Sequence, residues 1–148
     1  MVDNDKRVKP SSPSKEFLIK QLLLKKLDFD VLTPLHTLKS KWQPDAKLDL
    51  NIGHDKSSSP DYCIEIKLSI HVSIDKKSVF AINIIYGGVF QMKGYSDDEM
   101  KRLINSFCPN MLFPYARQVV SQTTTQAGFP PLNLSPIDFE ARYRASNS

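Results

Sequence analysis

Three histidines and two cysteines are the residues of this 148-residue chain best suited to metal, nucleophilic or acid–base chemistry. A metal site needs several such ligands at short, regular spacing, and His36, His54, His71, Cys63 and Cys108 have none. His71 falls on the polar side of an alternating segment, where a solvated side chain is the simpler role. Cys108 precedes Pro109 in an apolar setting, which suits an inert buried thiol better than a nucleophile. The sequence holds no phosphate-cradling glycine loop, dinucleotide fingerprint or paired-carboxylate motif, and Gly87-Gly88 reads as a bulge or bend in a strand. Neither an enzyme nor a cofactor is expected from this set.

The elements that would position any site are more legible. Tyr62, Ile64, Ile66, Leu68, Ile70, Val72 and Ile74 alternate with Cys63, Glu65, Lys67, Ser69, His71, Ser73 and Asp75. Period-two alternation predicts a long strand with one dry face, in an antiparallel sheet covered on one side. Before it, Leu48, Leu50 and Ile52 alternate with Lys47, Asp49 and Asn51 as a second strand, and Gly53–Pro60 is a polar turn region. Phe17–Phe29 spreads its apolar residues around the whole helical wheel, so it is a strand with Phe17, Ile19, Leu23, Leu27 and Phe29 on one face, interrupted by Gln21 and Lys25. After Asp75–Ser78 a fourth strand places Phe80, Ile82, Ile84 and Tyr86 on one face. Its other face, with Val79, Ala81 and Ile85, is apolar enough to suggest contact with another subunit.

At Ser96-Asp97-Asp98-Glu99 the pattern turns helical: serine and glutamate three apart form a capping box, and acids suit a helix N-terminus. Met100, Leu103, Ile104 and Phe107 follow at helical spacing, with Pro109 ending the helix. A second helix is expected from near Pro114 to Ala127, stopped by Gly128, and a short third one after Ser135-Pro136-Ile137-Asp138. Strands followed by helices make an α+β domain: a four-stranded antiparallel sheet with helices packed on one face. Residues 1–14 are polar and expected to be disordered, leaving 15–148 as a single domain.

Apolar content of 41% and charged content of 24% are ordinary. No run approaches the ~18 apolar residues of a membrane span, so no membrane insertion is expected. The N-terminus has no apolar core or cleavage pattern, so no secretory signal is expected and the cysteines fit a reduced, cytoplasmic protein. A formal charge of +4 raises nucleic acid as a partner. Basic and acidic residues are interleaved throughout, however, and no arginine-rich stripe singles nucleic acid out.

Trp42-Gln43-Pro44, Lys47-Leu48-Asp49-Leu50 and Gly87-Gly88-Val89-Phe90 resemble the SecB family of bacterial protein-export chaperones. So do Cys108-Pro109-Asn110-Met111-Leu112-Phe113-Pro114-Tyr115-Ala116-Arg117 and the stretch from Gly128-Phe129-Pro130-Pro131 to Ser135-Pro136. The resemblance implies a cytoplasmic, ATP-independent holdase without cofactors, assembled as a homotetramer (a dimer of dimers). Such a holdase keeps unfolded preproteins export-competent and delivers them to the motor SecA. It implies a client groove that includes Trp42, Leu48, Tyr115 and Tyr143. The oligomer interface is expected on Ile82, Ile84, Tyr86, Met100, Leu103 and Phe107. The family's acidic SecA-docking positions fall on Lys26, Asp30 and Asn83, of which Asp30 alone is acidic, and Tyr143–Ser148 carries no acid. A SecB-like holdase for a non-export client, such as an unstable antitoxin, is the alternative.

Overall fold

Alternation dictates the sheet. In the computed structural model, which describes residues 14–58 and 60–146, apart from the side chains of 56–58, the segment Asp61–Ile74 is strand β3. Ile64, Ile66, Leu68, Ile70, Val72 and Ile74 are buried on one side of it. Strands β1 (Glu16–Val31), β2 (Asp45–Ser58) and β4 (Lys77–Lys93) complete an antiparallel sheet in the order β1-β4-β3-β2. All but Ser14 of the expected N-terminal lead-in lies outside the described residues.

Three local expectations are corrected. The polar stretch after Gly53 does not leave the sheet: β2 runs to Ser58, which pairs with Asp61. Backbone pairing is indifferent to serine side chains on an edge strand. In β1, register shifts between Ile19 and Gln21 and between Leu24 and Lys26 mark bulges. Each extra residue swaps the faces, so Leu22 and Leu24 join Phe17 and Ile19 on the buried side, opposite Gly88 and Tyr86, while Leu23 turns outward opposite Gly87. Gly87-Gly88 itself is regular strand, flanked by continuous β3 pairing. Its glycines permit close approach on both faces. A Cβ on Gly88 would stand 2.7 Å from the Phe90 ring and 3.1 Å from Leu112, and one on Gly87 would stand 3.1 Å from Lys25. Lys25 crosses that gap to pair with Glu65 at 2.8 Å.

The capping box forms as the sequence requires: Ser96 accepts from the Glu99 amide, and Glu99 accepts from the Ser96 amide. Helix α1 (Asp97–Arg102) does not stop at Pro109, however. A π-helical turn (Leu103–Phe107) carries it into α2 (Cys108–Gln126), which contains both Pro109 and Pro114. The wider turn opens the backbone just ahead of Pro109, where a tight α-turn would press the ring on the carbonyl one turn back. Pro114 lies inside α2, a placement that costs about 3 kcal/mol in a free helix. Burial of Cys108, Leu112, Phe113, Ala116 and Val120 against the sheet offsets it.

Gly128 ends α2 at φ +91, with Phe129 and Gly128 amides returning to the Thr124 and Thr125 carbonyls. Buried Thr124 then accepts from the Leu132 amide at 3.0 Å, laying residues 129–138 back along the core. Asp138 caps α3 (Phe139–Ser146) through the Ala141 amide.

Candidate functional site

Among the described residues, no group of three or more His, Cys, Asp or Glu is placed to hold a metal, and no helix is long and apolar enough to cross a membrane. Cys108 is buried among apolar neighbours, which pushes its thiol up to about 12. What the chain does expose is apolar surface on the helix side of the sheet.

That surface exists because α2 lies over β3 and β4 and leaves both edge strands partly uncovered. On β1, Leu24, Leu27 and Val31 remain exposed on the side that the bulges turned inward. Leu32 and Leu35 continue the exposure into the loop that crosses from one edge of the sheet to the other. On β2, Leu48 is 37% exposed, and Leu50 and Ile52 are half-buried beyond it.

The structure distributes the four expected groove residues over this surface. Trp42, at the end of the crossing loop, is half-buried and stacks on Phe129 (5.7 Å, 27°), which packs on Phe80. Leu48 follows on β2. Tyr143 of α3 borders a cavity of about 440 Å³ with Ile52, Asn105 and Arg142, and the Arg102 guanidinium lies 5.4 Å from its ring. Trp42, Leu48 and Tyr143 therefore mark points along the β2 side. Tyr115 is apart from them, 45% exposed on α2 and stacked on Tyr86 (5.9 Å, 8°).

Helix α3 is held over the β2 side by one ring and one carboxylate. Phe139 is buried against Phe113, and Glu140 accepts from Ser106 at 2.9 Å and pairs with Arg102 and Arg144. The Ser106 hydroxyl, then the two guanidiniums, hold the Glu140 carboxyl below the ordinary glutamate range. Arg142 donates to the Leu50 carbonyl on β2 at 3.4 Å. Sequence reasoning missed Leu50, Ile52 and Arg142; the unbroken alternation of β2 was the available signal for the first two, and nothing local announced the third.

Lys26 and Asn83 come together on the outward sheet face, around a depression of about 250 Å³ that also includes Asp28, Asp49, Lys67 and Ser69. Pairing sets Asp28, Asn83, Ser69 and Asp49 in one row across the sheet, with exposed Asp30 next to it, opposite Ala81. The expected oligomer residues do not act alike. Ile82 and Ile84 are 0% and 1% exposed beneath the helices, spent on the chain's own core and out of reach of a partner. Val79 is likewise buried, because a register shift beside it turns it inward. Met100, Leu103 and Tyr86 are half-buried, and Phe107 is 47% exposed.

The profile of the family described as "Preprotein translocase subunit SecB" matches residues 10–148. A protein-export protein SecB of Methylococcus capsulatus is 34% identical over 133 residues, covering 88% of this chain and 84% of that protein. Among solved structures, a SecB-like chaperone of Mycobacterium tuberculosis, in complex with a peptide from an antitoxin, has the same fold. It superimposes with a TM-score of 0.69 at 16% identity, over 82% of this chain and 90% of that one.

Proposed function

The chain belongs to the SecB family of protein-export chaperones, and on that premise we propose that it is an ATP-independent holdase of the cytoplasm. In this reading it keeps unfolded preproteins extended and passes them to the SecA motor. The observation that supports it best is the uncovered apolar and aromatic surface on the helix side of both edge strands. An unfolded client presents scattered apolar side chains. Several weak contacts on one particle raise the effective concentration of the next, so holding needs no reactive group. Trp42, Leu48, Tyr115 and Tyr143 are the client contacts.

Multivalency calls for a homotetramer. Helix α2 carries Arg117 as its one charged residue in 19, and its exposed positions besides Tyr115 are Asn110, Pro114, Gln118, Gln122, Thr125 and Gln126. That face, with Phe107 and apart from Tyr115, suits contact between copies in a dimer of dimers. Light scattering should give about four times the 16.8 kDa chain mass; a monomer at micromolar concentration would remove the multivalent mechanism. SecA contact belongs to the outward face around Lys26, Asp30 and Asn83.

The direct test dilutes a chemically unfolded client into buffer with the protein and without nucleotide, and follows light scattering. Slower aggregation, with no binding of the folded client, is expected; unchanged aggregation refutes the reading. The mycobacterial chaperone's antitoxin peptide keeps a non-export client as the alternative, and failure to bind SecA alongside normal holding would favour it.

A further inference from the structure

The loop that crosses the sheet folds back on the turn between β3 and β4. Its start is fixed by the Leu32 and Thr33 amides, which donate to the Val79 carbonyl, and by the Thr33 hydroxyl, which donates to that of Ser78. Near its end the Ser40 hydroxyl donates to the Asp75 carboxylate at 2.6 Å. Residues 32–41 and 75–77 therefore form one tip of the molecule. Lys39, Lys41, Lys76 and Lys77 are exposed there, and among the described residues none of them forms an ion pair. Lys15, Lys20, Lys25, Lys26, Lys67 and Lys93, by contrast, each lie 3.7 Å or less from a carboxylate. Asp75 is the one acid of the tip. Asp30, Asp45 and Asp49 face outward from the sheet behind it, with Lys47 among them. The turn keeps its cation at a cost. Ile74 pairs with Lys77, so Asp75 and Lys76 are the two central residues, at φ +51 and +65. Glycine adopts that left-handed backbone freely and lysine does not. Beside the lysines, Leu32 is 51% and Leu35 39% exposed.

We propose that this tip rests on an anionic lipid surface, its four free lysines meeting headgroup phosphates while Leu32 and Leu35 enter the boundary with the acyl chains. No segment crosses the bilayer. The contact goes beyond holding and does not depend on it. Free lysines are the right cations for this purpose, because a lipid surface offers many phosphates in no fixed geometry and a point charge on a flexible stem can follow them. Lysines already tied to a carboxylate would have to give up that partner first. The leucines decide between lipid and nucleic acid. Binding to single-stranded nucleic acid draws on arginine and on uncovered aromatic rings that stack with bases, and residues 32–41 and 75–77 contain neither. Exposed aliphatic side chains among lysines are instead what an interfacial segment uses, the apolar part below the headgroups and the charges level with them.

The test is co-sedimentation of the full-length protein with vesicles of equal parts phosphatidylglycerol and phosphatidylcholine, compared with vesicles of phosphatidylcholine alone. Binding to the anionic vesicles, weakened by added salt, is expected. Each lysine near such a surface counts for about fivefold in partitioning, so the double variant Lys76→Gln, Lys77→Gln should bind about 25-fold more weakly. It should hold an unfolded client as the wild type does. The double variant Leu32→Ser, Leu35→Ser keeps every lysine and should still lose about tenfold. Equal sedimentation with both kinds of vesicle, or with neither, overturns the proposal. So does a lysine variant that binds anionic vesicles as tightly as the wild type. A polyuridine oligonucleotide bound more tightly than the vesicles, with no effect of the leucine changes on either, would assign the lysines to nucleic acid and overturn the lipid contact.

Discussion

Replacing Tyr115 and Trp42 by alanine separates surface that holds the client from surface that holds the fold. Tyr115 is 45% exposed, and its covered half lies flat on Tyr86. A tyrosine offers about 200 Å², so roughly 90 Å² is left for a client to cover. At about 25 cal/mol per Å² that is about 2 kcal/mol, or roughly 30-fold in affinity at one contact. The ring pair itself contributes about 1 kcal/mol to the fold, beyond the area its covered half buries. Trp42 is half-buried between solvent and Phe129, so Trp42→Ala should lower stability by about 2 kcal/mol or more as well as weaken holding. Urea unfolding supplies the stabilities, and titration of a labelled, permanently unfolded client supplies the affinities. Tyr115→Ala with full affinity would refute the assignment; Tyr115→Ala with a stability loss as large as that of Trp42→Ala would make the ring a structural element.

Gly88→Ala should destabilise by about 1–3 kcal/mol in urea, because its Cβ meets Phe90 and Leu112, and should exceed Gly87→Ala, whose nearest neighbour is the flexible Lys25 chain. Glu140 has a depressed pKa in the folded state, so its contribution is present above the ordinary glutamate range and lost as pH falls through the folded value. The opening free energy of α3, taken from amide exchange after correction for the intrinsic pH dependence of the exchange rate, should accordingly fall on acidification in the wild type more than in Glu140→Gln, and an equal fall in both would refute the clasp. A thiol reagent at mildly alkaline pH should modify half-buried Cys63 first and leave Cys108 untouched until unfolding; Cys63→Ser should abolish the fast phase. Lys26→Asp should strengthen SecA binding at low salt, read by calorimetry, and no gain would mean the motor docks elsewhere.

The parts of the fold that followed one rule over a long run were legible. β3 keeps its alternation from end to end, and the capping box at Ser96 is a local contract between two side chains and two amides. β1 was legible as a strand but not by face: Gln21 and Lys25 look like flaws in a pattern, whereas Gln21 follows an extra residue and Lys25 is one, and each bulge resets the phase. Pro109 and Pro114 were read as a stop and a start because proline costs a helix locally. The packing of Leu112, Phe113 and Ala116, which no window of sequence displays, outweighs that cost. The site shared this limit. Trp42 and Tyr115 could be singled out as aromatics, but which half of each ring stays uncovered depends on where Phe129 and Tyr86 come to lie.

Charge shows the same gap between composition and surface. The chain is +4 overall, yet the outward sheet face sets Lys20, Lys25, Lys26, Lys47 and Lys67 against Asp28, Asp30, Asp45, Asp49, Asp55, Asp61 and Glu65. Lys20 and Lys25, carried by the bulges, are tied to Asp61 and Glu65, and Lys26 lies 3.4 Å from Asp28. Such exposed pairs contribute little to stability, but they cancel the lysines nearest β1 as a long-range field. Of the four remaining acids, Asp30, Asp45 and Asp49 lie toward the other end of the face and Asp55 toward the first bulge, and the row from Asp28 through Asn83 and Ser69 ends on Asp49. A partner approaching that face meets carboxylates on either side of Asn83, so an asparagine there removes less attraction than the linear sequence implies. The basic excess lies on other surfaces, and net charge alone is therefore a poor guide to what this sheet can dock.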